Sequence, residues 1–204
     1  MKQNNKWLIM CISLLVFILI LTLITNGFNF LERIDLTANQ LMPGIQNSMI
    51  TAIAKAIDFL FDITTMIIIS IILALILWIK KYKKEAIFFA IIMLINSGFI
   101  YLFKEVIQRA RPLNAIVAEA GFAFPSGHAT TAVVFFGLLV YLVLKSNFSR
   151  SFKISSLISV FLILLIGFSR IYLNVHWFSD VLGGFALGLF IITGSILAKE
   201  YFEG

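Results

Sequence analysis

Three short stretches of this chain hold residue types that can handle a phosphate group. The first is Lys104–Pro112, in which Lys104 and Arg111 stand seven residues apart. Seven residues are two turns of α-helix, so on a continuing helix both cations share one face, and Pro112 then ends the helix or fixes a turn. Two cations on one face suit a dianion, and an arginine can hold it through two parallel N–H bonds. Taken alone, the same pair could anchor lipid headgroups by snorkelling. The second stretch is Pro125-Ser126-Gly127-His128. It precedes an apolar run, so Ser126 reads as the N-cap of a helix whose free amides and dipole favour an anion. Gly127 permits close backbone approach, and His128 can pass a proton near neutral pH. The plainer alternative is a cap followed by an interfacial histidine. The third stretch runs from Ser169 and Arg170 to His176 and Asp180, the last two being four apart and on one face if helical. An aspartate that accepts from one imidazole nitrogen fixes the tautomer and leaves the other nitrogen as a base or nucleophile. Arg170 adds a third cation. A purely structural His–Asp pair is the alternative, but an ionised aspartate at a bilayer edge is costly without a purpose.

The elements that must position these residues are membrane helices. The chain has 204 residues, of which 61% are hydrophobic and 13% charged, with a mean hydropathy of +1.03. Soluble domains have about half apolar and about a quarter charged residues, so an ordinary cytosolic enzyme, a disordered chain and a secreted disulfide scaffold are excluded. One cysteine, Cys11, permits no intramolecular disulfide or cysteine cluster, and two histidines cannot alone build a zinc site. Six apolar stretches are read as spans: Trp7–Thr25, Leu60–Ile79 (entering from the preceding loop), Ala86–Phe103, Ala129–Leu144, Ile154–Phe168 and Val181–Ala198. The first is read as a retained helix, since no small-x-small cleavage site follows it. The fold expected is all-α, with an amphipathic helix in the first outer loop, where Ile45, Met49, Ile53, Ile57 and Leu60 recur at helical spacing. That helix is read as a packed connector, or as a cap over a site.

Charge placement gives an orientation. With the N-terminus inside, Lys2, Lys6, Lys80, Lys81, Lys83, Lys84, Lys145, Arg150, Lys153 and Lys199 are cytoplasmic. Arg33, Lys55, Lys104, Arg109, Arg111 and Arg170 are then outside. Both termini are expected in the cytoplasm, and the +6 balance is a topology signal rather than a sign of a nucleic-acid partner. The same topology brings all three stretches, with both histidines of the chain, to the outer face. One site there asks for a phosphate, an imidazole that attacks it and an imidazole that protonates the leaving oxygen. Arg109 is left as a headgroup contact or a structural pair, and Asp58 and Asp62 have no assigned role. Gly184 and Gly188 read as a close helix–helix contact within the chain.

The three stretches match K-x6-R-P, P-S-G-H and S-R-x5-H-x3-D without a gap, and in this the chain resembles the type 2 phosphatidic acid phosphatase family. The resemblance implies a single transmembrane domain over residues 1–204 and hydrolysis of phosphate esters or diphosphates through a phosphohistidine, with no cofactor and no metal. Carried over by position, it makes His176 the nucleophile, Asp180 its orienting partner and His128 the acid. Lys104, Arg111, Ser126, Gly127 and Arg170 would hold the phosphoryl oxygens. The partners implied are a phosphorylated lipid and the bilayer of a bacterial cell membrane. Phosphatidylglycerol phosphate is the foremost expected substrate, with undecaprenyl diphosphate as the alternative. A non-enzymatic lipid-binding protein is the competing class, although it would have no use for His128, His176 and Asp180. A transporter fits less well, because its site belongs at the midplane.

Overall fold

The computed structural model describes residues 3–145 and 149–203, with backbone alone at 145 and 149–153. Lys2 and the side chains of Lys145, Arg150 and Lys153, used above for orientation, lie outside the described residues. Within them the chain is all-helical: α1 (Gln3–Thr25), α2 (Asn29–Leu41), α3 (Ser48–Leu60), α4 (Ile63–Ile79), α5 (Lys83–Ile107), α6 (Gly127–Lys145), α7 (Ser149–Tyr172) and α8 (Phe178–Glu203). α1, α5, α6, α7 and α8 are each long and apolar enough to cross a bilayer, and α3 with α4 makes a sixth candidate bent by 53°.

That bend corrects the second expected span. Leu60 belongs to α3, and the apolar run breaks at Phe61 and Asp62. Asp62 takes an extended backbone, and its side chain accepts from the Thr64 amide at 3.0 Å. An aspartate that caps the next helix cannot also continue the previous one. The first outer loop is thus two helices. Asn47 caps α3 by accepting from the Ile50 amide at 2.9 Å. Tyr172, at the end of α7, pins this region. Its hydroxyl accepts from the Asn47 amide at 3.1 Å and bonds the Thr51 hydroxyl at 2.9 Å, and its carbonyl accepts from Gln46 at 2.8 Å.

The core lies around α8, which packs on α1 and α6, while α6 also meets α5 and α7. Phe17, Phe89, Phe124, Val134, Leu138, Ile166 and Leu187 fill it. Apolar residues such as Leu15, Leu94 and Leu157 point outward, as a hydrocarbon solvent allows. α8 can lie against the start of α6 because it offers no side chain there. A Cβ on Gly184 would stand 2.8 Å from the Ser126 carbonyl oxygen, and one on Gly188 would stand 2.9 Å from that of Thr130. The small pair therefore makes a contact within the chain and fixes the position of Ser126. Gly184→Ala is expected to cost about 1–3 kcal/mol by overpacking and by displacing the α6 N-terminus. Thermal unfolding measures the effect. Gly194→Ala, whose added methyl would meet only Met10 Sδ at 3.5 Å, should behave as wild type.

Candidate functional site

The outer ends of α5, α6, α7 and α8 meet in one buried cluster. α5 ends at Ile107, because Gln108 adopts the left-handed conformation (φ 50°) and donates to the Lys104 carbonyl at 3.0 Å. Lys104 is therefore in the last helical turn, but Arg111 is not on the helix, and Pro112 does not end it. The expected shared helical face does not exist. The two cations are brought together instead by the irregular stretch 108–126, whose backbone carbonyls they bind. Lys104 Nζ donates to the Phe122 carbonyl. Arg111 donates through Nε to Gly121 at 3.0 Å and through Nη2 to Ala120 at 3.1 Å. Its Nη1 donates to Val175 at 2.8 Å and lies 3.2 Å from His176 Nε2.

Ser126 sits at the start of α6 as expected, with the Ala129 amide 3.5 Å from its hydroxyl and its own amide donating to the Asp180 carbonyl at 3.0 Å. His128, one residue inside α6, is buried, and its Nε2 lies 3.4 Å from Asp58 Oδ1. His176 precedes α8 rather than lying on it, so the helical four-residue argument does not apply. Its Nδ1 nevertheless lies 3.4 Å from Asp180 Oδ2, because the Asp180 carboxylate turns back to accept from the Trp177 amide at 2.9 Å. Asp180 is fully buried and His176 is 3% exposed. Because Arg111 can only donate, the Nε2 it approaches carries the lone pair, and the proton is assigned to Nδ1, facing Asp180. Burial, then the charges of Arg111, Arg170, Lys104 and His128, hold the His176 pKa well below its ordinary value of 6.5. This imidazole is neutral at physiological pH.

Two acidic residues and a further arginine complete the cluster. Arg170, with no exposed surface, pairs through Nη1 with Asp58 at the end of α3 and through Nη2 with Glu119 in the stretch 108–126. The other oxygen of Glu119 lies 3.4 Å from Arg111 Nη2, so one carboxylate bridges two guanidinium groups. Arg109, the further arginine, makes a structural pair with Asp180, at 2.6 Å. Sequence reasoning left Asp58 without a role and did not single out Glu119 at all. The signal available was scarcity, since an apolar chain with ten acidic residues has few to place beside its outer cations. Asp58, Glu119 and His128 each bring a ligand atom within 4.8 Å of the others, close enough to hold a cation. Both carboxylates are already matched by Arg170, however, and Lys104 and Arg111 stand nearby, so these cations oppose a metal ion there.

From Lys104, Gly127 and His128 a cavity of about 720 Å³ runs between α4 and α5 past Ile71 and Leu94 to Trp78 and Ile87. Lys104 and Ile87 are 17 residues apart on α5, which at 1.5 Å per residue is about 26 Å. A polar, cationic end joined to an apolar groove fits an amphiphile whose head carries the negative charge. Chemically, the cluster offers donors for phosphoryl oxygens, one imidazole with a free lone pair and a second imidazole able to exchange a proton.

The PAP2 superfamily profile matches residues 85–203. Phosphatidylglycerophosphatase B of Bacillus subtilis is 41% identical over 97 residues, which cover 45% of this chain and 48% of that protein. The chain thus aligns with about half the length of that relative. YbjG of Escherichia coli, which carries the name of an undecaprenyl-diphosphatase, is 29% identical over 168 residues, 78% of this chain and 79% of that one. The crystal structure of a transmembrane PAP2 type phosphatidylglycerolphosphate phosphatase from Bacillus subtilis superposes with a TM-score of 0.83 at 25% identity, over 94% of this chain and 96% of the other.

Proposed function

Because this chain belongs to the PAP2 superfamily, we propose that it is a membrane lipid phosphatase that releases phosphate through a phosphohistidine. One observation carries the proposal: Lys104, His128 and the α6 N-terminus line the head of a groove long enough for a lipid tail, with Arg111, Arg170 and His176 beside them. His176 Nε2 would attack phosphorus with its lone pair while Nδ1 keeps its proton toward Asp180. The phosphorus–oxygen bond to the lipid would break, its electron pair passing to the leaving oxygen, which His128 would protonate. Water, deprotonated by His128, would then attack the phosphohistidine and free inorganic phosphate. Lys104, Arg111, Arg170 and the Ser126–Gly127 backbone would hold the three peripheral oxygens, supplying by fixed charge what other phosphoryl-transfer enzymes draw from magnesium.

Phosphatidylglycerol phosphate is the favoured substrate, supported by the name of the 41%-identical relative. One observation favours undecaprenyl diphosphate as a second reading. The groove extends about 26 Å along α5, whereas a single leaflet of a bilayer of about 30 Å is about half as deep; a long isoprenoid chain would fill it more fully than one acyl chain. Phosphate release from the two lipids in the same purified preparation decides between them. Both rates should survive chelator, and activity lost to chelator and restored by magnesium or zinc would overturn the metal-free scheme. Binding of both lipids without turnover would favour a non-enzymatic lipid binder.

The site would face the outside of the cell membrane, with both termini inside. Leu113, in the stretch that carries Arg111, is fully exposed. In a Cys11→Ser background, Leu113→Cys is expected to react with an impermeant thiol reagent in intact cells. Labelling only after the membrane is opened would reverse the orientation.

A further inference from the structure

Asp35 is 1% exposed, yet it comes from α2, in the outer connection and far in sequence from every motif. Three donors from elsewhere in the chain satisfy it. Its Oδ1 accepts from the Ser179 amide at 2.8 Å. Its Oδ2 accepts from the Ser179 hydroxyl at 2.6 Å and from Arg109 Nη2 at 2.6 Å. The other terminal nitrogen of Arg109, Nη1, donates to Ser179 Oγ at 2.7 Å and to Asp180 Oδ1 at 2.6 Å. The guanidinium lies 5.8 Å over the Trp177 ring, whose Nε1 donates to the Ala110 carbonyl at 2.8 Å. Both terminal nitrogens of Arg109 are thus taken up by Asp35, Ser179 and Asp180. A buried carboxylate and a part-buried guanidinium are placed here at a desolvation cost, beside the pair that would do the chemistry.

We propose that Asp35 and Arg109 are positioning residues for the His176–Asp180 pair, Asp35 fixing the guanidinium and the guanidinium holding Asp180 Oδ1 so that Oδ2 is left facing His176 Nδ1. This rests on the assignment of His176 as nucleophile. As Nε2 forms its bond to phosphorus the imidazole becomes cationic, and Asp180 must stabilise that charge from a fixed place. Arg109 alone would compete for the Asp180 carboxylate as a counter-charge. Asp35 offsets that competition, so Arg109 orients Asp180 without neutralising it. The first outer connection thereby takes part in the site through α2.

Asp35→Asn leaves the cation over Asp180 unbalanced. Its kcat on lipid substrate is expected to fall about 10- to 100-fold, the range seen when a partner of a site residue is removed, with KM within about two-fold of wild type. Asp35→Glu, which keeps the charge, should recover most of kcat. The acid side of the profile gives a sign. Lys104, Arg111, His128, Arg170 and Asp180 face His176, with Asp58 and Glu119 on Arg170, and none of them changes in the variant. Removing a nearby anion disfavours the imidazolium, so the acid limb should move to lower pH, whereas general loosening would make the enzyme more acid-sensitive. Equal losses in Asp35→Asn and Asp35→Glu, or increased acid sensitivity of Asp35→Asn, would overturn the proposal. Should Asp35→Asn fail to fold, Arg109→Lys keeps the charge but loses the two-pronged contact. It should lower kcat with KM unchanged, and a wild-type rate would overturn the proposal equally. Activity retained in His176→Ala would instead remove the assignment on which this rests.

Discussion

His176→Ala is expected to reduce phosphate release by at least about 10⁴-fold, the scale of loss when a covalent nucleophile is removed from a preorganised site. The protein should remain folded. The deleted ring makes one polar contact closer than 3.4 Å, with Arg111 Nη1, and Arg111 keeps its three carbonyl partners on Gly121, Ala120 and Val175. Binding should survive as well, since Lys104 and Arg170 are untouched. The outcome is therefore a variant that still binds substrate and does not turn it over. Because burial and the surrounding cations hold the wild-type imidazole pKa well below 6.5, its lone pair is free through the neutral range, and any acid limb due to His176 should lie well below that value. Residual turnover above about one part in a hundred in protein with a wild-type unfolding temperature would reject the phosphohistidine. Acid-labile, base-stable labelling of wild type but not of His176→Ala would be the direct sign of it.

Arg170→Ala is expected to lower turnover about 10³-fold, as loss of one fixed donor to a developing charge does in other sites. Here the loss has two parts. The phosphoryl group loses a buried cation. In addition, Asp58 and Glu119 lose the guanidinium that matched them, while Arg111 and His128 remain beside them at 3.4 Å. The freed carboxylates should then bind those two groups more firmly and oppose an incoming phosphate. The KM of Arg170→Ala should thus rise about ten-fold, and adding Glu119→Gln should recover part of that rise without restoring kcat. A double variant with the same KM as Arg170→Ala would show that Glu119 does not compete with substrate. Arg170→Lys is not a conservative control, because one ammonium cannot meet both carboxylates as the guanidinium fork does.

The sequence made the members of the candidate site legible and left the means of their assembly largely hidden. Lys104, Arg111, Ser126, His128, Arg170, His176 and Asp180 stand together as the three motifs implied, because helix ends that alternate across a membrane bring distant segments to one face. The expected local geometry fails in two places. Arg111 reaches its position through a left-handed Gln108 and contacts with its own loop, and His176 meets Asp180 from outside α8. Spacing is a guide to faces only where the helix continues, and the groups of the candidate site lie at or beyond helix ends. Asp35, Asp58 and Glu119 were illegible for another reason. Each meets its cation from a different segment, at a separation that no helical period encodes. The bend between α3 and α4 was more accessible, since an aspartate between two apolar runs is a capping signal. Gly184 and Gly188 read from the sequence as a contact within the chain, but their partner, the start of α6, is visible only in the packing.

The ion pairing around the site has a consequence for how a substrate enters. Lys104, Arg109, Arg111 and Arg170 supply four positive charges, and Asp35, Asp58, Glu119 and Asp180 supply four negative ones. With His176 neutral, these eight side chains sum to zero. A dianionic headgroup is then not drawn in by a strongly positive well. On the proposed function it would arrive by exchange, its oxygens replacing carboxylate oxygens on the same guanidinium groups. Such a swap creates and loses similar contacts, so inorganic phosphate should leave as readily as the headgroup arrives, and affinity should depend only weakly on ionic strength. Discrimination between lipids then falls to the apolar groove, whose contacts are not exchanged for any that the empty site already has.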